Sequence, residues 1–236
     1  MGEKIGTDPI FEKMGSVPSF RTALVVGASG LIGSFLLRRL LASERYASVV
    51  AWARRDIDHT HPKLKVEIVD FERLEERRVE AEDVFCCLGT TIKQAGSQAA
   101  FRRVDYDYPV ALARAAARGG AKRLLVVSAL GADPDATVFY NRVKGEMEEA
   151  VRAGVPRTIL LRPSLLSGPR AEERLGEKIG LVIGNIFGPL LGKYRPIHAD
   201  IVAAAMLKAA GEDRPSGVLE SDEIRKMGSD PIFHNS

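Results

Sequence analysis

Cysteine is scarce in this chain: there are two among 236 residues, Cys86 and Cys87, side by side. Neighbours on a strand point to opposite faces, so this pair is poorly placed to bridge itself. No CxxC and no Cys/His cluster offers a metal site. Long hydrophobic runs are missing as well. The most apolar stretch, Leu181 to Leu191, is interrupted by Gly184, Gly188 and Pro189. It falls far short of the roughly 20 residues that span a bilayer. The N-terminus has no signal-peptide h-region. Nor does charge of one sign dominate. Lys and Arg number 34 against 31 Asp and Glu, a formal net charge of +3 spread along the chain. That pattern excludes a basic stripe for nucleic acid. These absences together lead to the expectation of a reduced, cytoplasmic protein with no membrane span and no nucleic-acid partner.

What is present suits one globular domain: 45% of the residues are hydrophobic, enough to bury a substantial core. The two ends share a short repeat. Gly6 to Phe11 nearly recurs as Gly228 to Phe233, and Lys13 to Ser16 recurs as Lys226 to Ser229. A repeat confined to the termini is no solenoid signal. Residues 1–18 and 221–236 are therefore expected to be tails. Residues 19–220 are expected to form a single nucleotide-binding domain, with a small C-terminal substrate lobe from about 165 to 220.

Between the tails, short apolar runs alternate with helical segments. Strands are expected at Arg21 to Val26, Ala47 to Ala53, Lys65 to Val69, Asp83 to Leu88, Arg123 to Ser128 and Arg157 to Leu161. Helices are expected at Leu31 to Ala42, Gln98 to Arg118, Thr137 to Ala153 and Asp200 to Ala210. The alternation implies βαβ units and a parallel sheet. Right-handed crossovers then give an α/β, Rossmann-like, doubly wound fold.

The first strand runs into Gly27-Ala28-Ser29-Gly30-Leu31-Ile32-Gly33. Gly27 permits a tight turn, Gly30 lets backbone approach a pyrophosphate, and Gly33 lets the helix pack on the strand. The helix N-terminus then faces negative charge. The second strand ends in Ala53-Arg54-Arg55, where a carboxylate would bind the ribose 2′-OH of NAD. Two guanidiniums there favour the 2′-phosphate of NADP(H). Asp70, ending the third strand, is a candidate for the adenine amino group or an N-cap. Gly89, after the fourth strand, would let backbone pass along the ribose. Nothing near Cys86 and Cys87 would lower their pKa, so they read as strand residues rather than nucleophiles.

Tyr140 and Lys144 are four apart in FYNRVKGEME and share a helix face. An adjacent ammonium favours the phenolate and is expected to lower the tyrosine pKa. Such a tyrosine can exchange a proton with a carbonyl or alcohol oxygen. Ser128 ends the preceding strand and could hydrogen-bond the same oxygen. Gly145 weakens this helix by about 1 kcal/mol and is expected to let another segment approach it closely.

With these pieces in place the chain resembles the short-chain dehydrogenase/reductase superfamily. Within it, the chain is similar to the atypical branch of oxidoreductases like the HIV Tat-interactive protein. The matching stretches are GASGLIG, WARR, VDFERL, FCCLGTT, RVDYDY, SALGAD, YNRVKGEME and LRPSLL, spanning about residues 22 to 175. The resemblance implies NADP(H) binding and a Ser128, Tyr140, Lys144 catalytic set. It puts Ser29, Gly30, Leu31 and Ile32 at the phosphates and Arg54 and Arg55 at the 2′-phosphate. It puts Leu88 and Gly89 along the ribose, Leu166 near the nicotinamide, and Arg174 against the cofactor. One feature departs from the wider superfamily. Many members carry an Asn on the central helix, where this chain reads Val104-Asp105-Tyr106, and a carboxylate cannot donate as an amide does. His198 and Asp200 precede the last helix; Asp200 reads as its cap and His198 as a loop residue.

The function expected is an NADP(H)-dependent oxidoreductase acting on a small carbonyl or alcohol. The alternative is a regulator that binds NADP(H) to present a surface to a protein partner, with little turnover. A sugar-nucleotide epimerase is disfavoured by the short C-terminal region.

Overall fold

The computed structural model describes residues 21–168, 195–212 and 214–229. Seven parallel strands form the central sheet, in the order β3-β2-β1-β4-β5-β6-β9. They are β1 (Arg21–Val26), β2 (Tyr46–Ala53), β3 (Leu64–Ile68), β4 (Asp83–Cys86), β5 (Arg123–Val127), β6 (Arg157–Arg162) and β9 (Gly217–Glu220). A separate parallel pair joins β7 (Leu166–Ser167) to β8 (Ile197–His198). Strand order reverses between β1 and β4. In open α/β sheets ligands bind in the crevice at that reversal, beyond the carboxyl ends of the strands.

The central strands β1, β4, β5 and β6 are buried on both faces, and alternate residues feed two cores. Ala23, Val25, Phe85, Leu125, Ile159 and Leu161 pack with α1 (Leu31–Ala42), α6 (Ala199–Gly211) and α7 (Ser221–Gly228). Leu24, Val26, Val84, Leu124, Val126 and Leu160 pack with α4 (Tyr108–Gly119) and α5 (Phe139–Val151). Cys86 belongs to the second core while Cys87 packs against the first, and both are free thiols. The doubly wound architecture expected from the sequence is therefore observed.

The long helix expected from Gln98 to Arg118 is three pieces. A short α3 (Gln98–Arg102) passes into a π turn at Arg103–Asp107 before α4 begins. Pro109 lies in the first turn of α4. A proline ring clashes with the carbonyl four residues earlier and donates no hydrogen bond, and here that carbonyl belongs to Asp105. Widening the turn relieves the clash, as π bulges commonly do within helices.

The C-terminal boundaries need correction. Of the lobe expected from about 165 to 220, the described residues from 199 onward pack on the main sheet domain. Helix α6 lies against α1, and β9 extends the main sheet beside β6. The tail expected from residue 221 begins instead with α7, opened by a reciprocal capping box between Glu220 and Glu223. Its periodicity is short and easily missed, but Ile224 is fully buried. A Cβ on Gly228 would lie 2.1 Å from the carbonyl oxygen of Ile201. The second copy of the terminal repeat thus begins inside the fold, while its N-terminal counterpart lies outside the described residues.

His198, not Asp200, caps α6: its Nδ1 accepts from the Asp200 backbone N–H at 3.2 Å. The Asp200 carboxylate is taken instead by Arg39 of α1, in two hydrogen bonds of 2.8 Å. That Arg39 hydrogen bond outweighs burial and holds the Asp200 carboxyl below the usual range.

Two outcomes follow from this packing. Ile224→Ala should lower the unfolding free energy by about 2–5 kcal/mol in urea titration, the range for deleting a buried branched side chain; an unchanged midpoint would show that α7 is peripheral. Asp200 stabilises the fold above its unfolded pKa of about 3.9, and this stability is lost as pH falls through the depressed folded value. Asp200→Asn should therefore lower the melting temperature at neutral pH and narrow the drop between about pH 6 and pH 2. An equal drop in both proteins would mean the pair contributes nothing.

Candidate active site

Backbone contacts build the glycine-rich turn. Gly27 has φ of 90°, and a Cβ there would lie 2.7 Å from the Cys87 carbonyl oxygen. A Cβ on Gly33 would lie 2.1 Å from the Gly27 carbonyl oxygen. Only glycine allows the turn, the strand end and the helix to meet this closely. Gly30 then stands as the N-cap of α1, and no side chain caps the helix. Its first backbone N–H groups face the crevice, the arrangement that favours a phosphate.

A cavity of about 750 Å³ opens from this turn. Gly30, Leu31 and Ile32 line one end. Leu88, Gly89 and Leu166 lie along it, and Ser128, Tyr140 and Lys144 share its wall. The structure thus gathers residues from the ends of β1, β4, β5 and β6 around one space. Ser128 is buried, and its Oγ has no hydrogen-bond partner among the described residues. A buried hydroxyl without a partner is costly, and this one borders the cavity.

Helix α5 carries the other two groups. The Tyr140 ring sits against Phe101, with centroids 5.3 Å apart. Lys144 is buried and meets the equally buried carboxylate of Asp105, with Nζ 2.7 Å from Oδ1. The other oxygen, Oδ2, accepts from the Thr90 backbone N–H at 2.9 Å. Burial alone would pull the Lys144 pKa down, but Asp105 and Tyr140 together reverse this and the net direction is up. The expectation of a net lowering of the Tyr140 pKa needs correction. Lys144 does act downward, but burial is larger and acts upward, Asp105 adds to it, and the phenol is raised.

Gly145 behaves as its position suggested. A Cβ there would lie 2.1 Å from the backbone nitrogen of Pro134. The segment after β5 is laid directly on the helix, where the Asp133 N–H donates to the Asn141 carbonyl at 3.1 Å. Arg142 donates to the carbonyl of Ala136 at 2.8 Å, which fastens the same segment. This seam ties Ser128 at one end to Tyr140 at the other.

Other expected residues lie apart from the cavity. Arg54 and Arg55 are exposed just beyond β2. Asp56 Oδ1 accepts from the Ile57 N–H at 2.8 Å, so its carboxylate closes its own turn. Asp70 takes the capping role: its Oδ1 accepts from the Glu72 N–H at 3.0 Å. Ser29 is exposed on the turn. Arg174 lies outside the described residues. Burial pushes the Cys86 thiol up to about 11 and raises Cys87 well above its ordinary value, which suits strand residues rather than nucleophiles. The sequence reading missed the ion pair of Asp105 with Lys144. Pro109, four residues after Asp105, was its available signal.

The chain matches the protein family described as NAD(P)H-binding over residues 27–210. It is 37% identical to Protein HTATIP2 of Rattus norvegicus over 223 residues, covering 89% of this chain and 90% of that protein. It is 36% identical to Protein FMP52, mitochondrial, of Coccidioides immitis over 183 residues, covering 71% of this chain and 74% of that protein. Among solved structures it resembles MoeE5 in complex with UDP-glucuronic acid and NAD, with a TM-score of 0.64. That pair is 23% identical and covers 84% of this chain and 75% of the other, a likeness of fold alone. The expectation of a cytoplasmic protein is overturned by the relatives, several of which are named as mitochondrial. Among the described residues no helix is long and apolar enough to cross a membrane.

The seam on α5 is directly testable. Gly145→Ala sets a methyl group against backbone that cannot turn aside. It should cost at least the about 1–3 kcal/mol typical of overpacking and expose the segment from 129 to 138 to limited proteolysis. A variant as stable and as protease-resistant as the parent would mean the close approach is not required.

Proposed function

The chain belongs to the NAD(P)H-binding family, and we propose that it is an NADP(H)-dependent oxidoreductase acting on a small carbonyl or alcohol through Ser128, Tyr140 and Lys144. The observation that carries this reading is the unpartnered, buried Ser128 Oγ on the same cavity wall as Tyr140 and Lys144. The uncapped helix terminus opens on the same space. A phosphate-accepting end and a proton-exchanging end in one cavity fit a dinucleotide that reaches from one to the other.

Leu31 and Ile32 would hold the phosphates through their backbone N–H groups. Leu88 and Gly89 would border the ribose, and Leu166 the nicotinamide end. Arg54 and Arg55 would bind the 2′-phosphate. The bound cofactor would supply hydride. Ser128 would hold the substrate oxygen by a hydrogen bond, and Tyr140 would exchange a proton with it. Lys144, on the same helix face, would steady the ribose hydroxyls and the phenol together.

Arg54→Ala and Arg55→Ala should weaken NADPH far more than NADH in calorimetric titrations. Equal losses for both cofactors would remove the NADP(H) preference. Once a carbonyl screen that follows NADPH consumption supplies a substrate, Tyr140→Phe should keep NADPH affinity and lose turnover by roughly 10²–10⁴-fold, as for a positioned acid. Full activity in that variant would end the Ser-Tyr-Lys assignment.

A further inference from the structure

We propose that Asp105 is a positioning residue that neutralises Lys144, keeps Tyr140 as the phenol, and so adapts the site to give a proton to a carbonyl oxygen rather than take one from an alcohol. This inference rests on the oxidoreductase reading above and assigns it a preferred direction.

The geometry starts from Pro109. Its ring forces the widened turn at Arg103–Asp107, and the Asp105 side chain enters the protein from that turn. The carboxylate is fixed from two sides, by Lys144 Nζ at 2.7 Å and by the Thr90 N–H at 2.9 Å. Both partners of the ion pair are almost fully buried, with side chains 3% and 1% exposed. Gly89 roofs the pair: a Cβ there would lie 3.5 Å from Asp105 Oδ1 and 4.0 Å from Lys144 Nζ. Water therefore screens the pair less than it would at the surface, and its charges attract each other more strongly there.

The consequence falls on Tyr140. An isolated ammonium four residues along the helix would draw the phenol toward phenolate. Here that ammonium is balanced by a carboxylate at contact distance. Tyr140 is half-buried on the cavity wall, and this partial burial favours the uncharged form, with Asp105 acting in the same direction. The other charges around α5 are engaged elsewhere. Arg102 pairs with Glu146. Arg162 of β6 pairs with Glu148 at 2.7 Å and with Glu220 of β9 at 3.2 Å. Arg142 donates to the Ala136 and Thr137 carbonyls, and Asp133 accepts from the Asp135 N–H. From β4, Cys86 is the remaining titratable neighbour, and burial keeps it a neutral thiol near neutral pH.

In the reducing direction hydride reaches the carbonyl carbon, the carbonyl oxygen gains the electron pair of the broken π bond, and the Tyr140 proton bonds to that oxygen. The substrate ends as the alcohol and the nicotinamide cofactor ends oxidised. Tyr140, left as phenolate, recovers its proton from solvent. A phenol at neutral pH is ready for this sequence, whereas oxidation must first remove its proton.

The test uses the full chain labelled with ¹³C at the tyrosine ζ carbons and at the lysine ε carbons, titrated by NMR. Tyr140 and Lys144 are assigned from the signals lost in Tyr140→Phe and Lys144→Met. In the parent, Lys144 should hold its proton past its ordinary value of about 10.4, and Tyr140 should titrate above its ordinary value of about 10. In Asp105→Asn the Tyr140 midpoint should shift down beyond the scatter of replicates, and Asp105→Glu should restore it. An unchanged or raised Tyr140 midpoint in Asp105→Asn overturns the proposal. Should Asp105→Asn fail to fold, the parent decides: a Lys144 that loses its proton below its ordinary value overturns the proposal. The alkaline limb of kcat/KM for carbonyl reduction should move to lower pH in Asp105→Asn, a change that a purely structural role would not produce. The NMR midpoints need neither cofactor nor substrate, so a protein that shows them without turnover would count against the oxidoreductase reading and not against the role of Asp105.

Discussion

Two opposite charges held together away from water set the terms for the site. Lys144 and Asp105 come from elements separated by α4, β5 and the segment that follows it, yet they meet at 2.7 Å with little solvent access. Breaking such a pair by removing one partner typically costs about 3–5 kcal/mol, because the other charge stays buried. The fold therefore has to deliver both groups together. Helix α5 brings the lysine, a proline-induced turn brings the carboxylate, and the Thr90 N–H fixes its second oxygen. Tyr140 and Ser128 line the same cavity as that pair.

Close backbone approach is the second constraint, and around the cavity glycine supplies it at three junctions. Gly27 and Gly33 bring β1, α1 and the end of β4 together at the glycine-rich turn. Gly145 brings the segment after β5 onto α5 beside Tyr140 and Lys144. The opposite edge of the sheet uses polar side chains for a structural purpose. Buried Asp83 of β4 accepts from Tyr46 of β2 and Arg123 of β5, each at 2.8 Å, with Arg21 of β1 at 3.7 Å. Four strands are thereby tied at their N-terminal ends, and the carboxyl ends remain available for a ligand.

Much of this was legible in the sequence because local rules govern it. Apolar runs marked the six strands from β1 to β6, and the glycine spacing between β1 and α1 marked the turn. The four-residue step from Tyr140 to Lys144 gave the shared helix face, and Gly145 gave the close contact. What escaped notice depends on tertiary neighbours. The four residues of β9 become a strand by pairing with β6. Helix α7 draws its stability from burying Ile224 and Gly228 against α6. Asp200 looked like a cap by position, but Arg39 offers two charged hydrogen bonds and claims it. The direction of the Tyr140 shift was missed because Lys144 was considered without the burial that outweighs it and the Asp105 carboxylate that adds to that burial.

One measurement tests the central claim, that cofactor and catalytic groups share a single cavity. The ¹³C-tyrosine spectrum of the full chain is followed while NADPH is added, with Tyr140 assigned by comparison with Tyr140→Phe. The account predicts that the Tyr140 resonance moves in step with saturation of one site. NADPH binding that leaves Tyr140 untouched, or no binding at all, would contradict it.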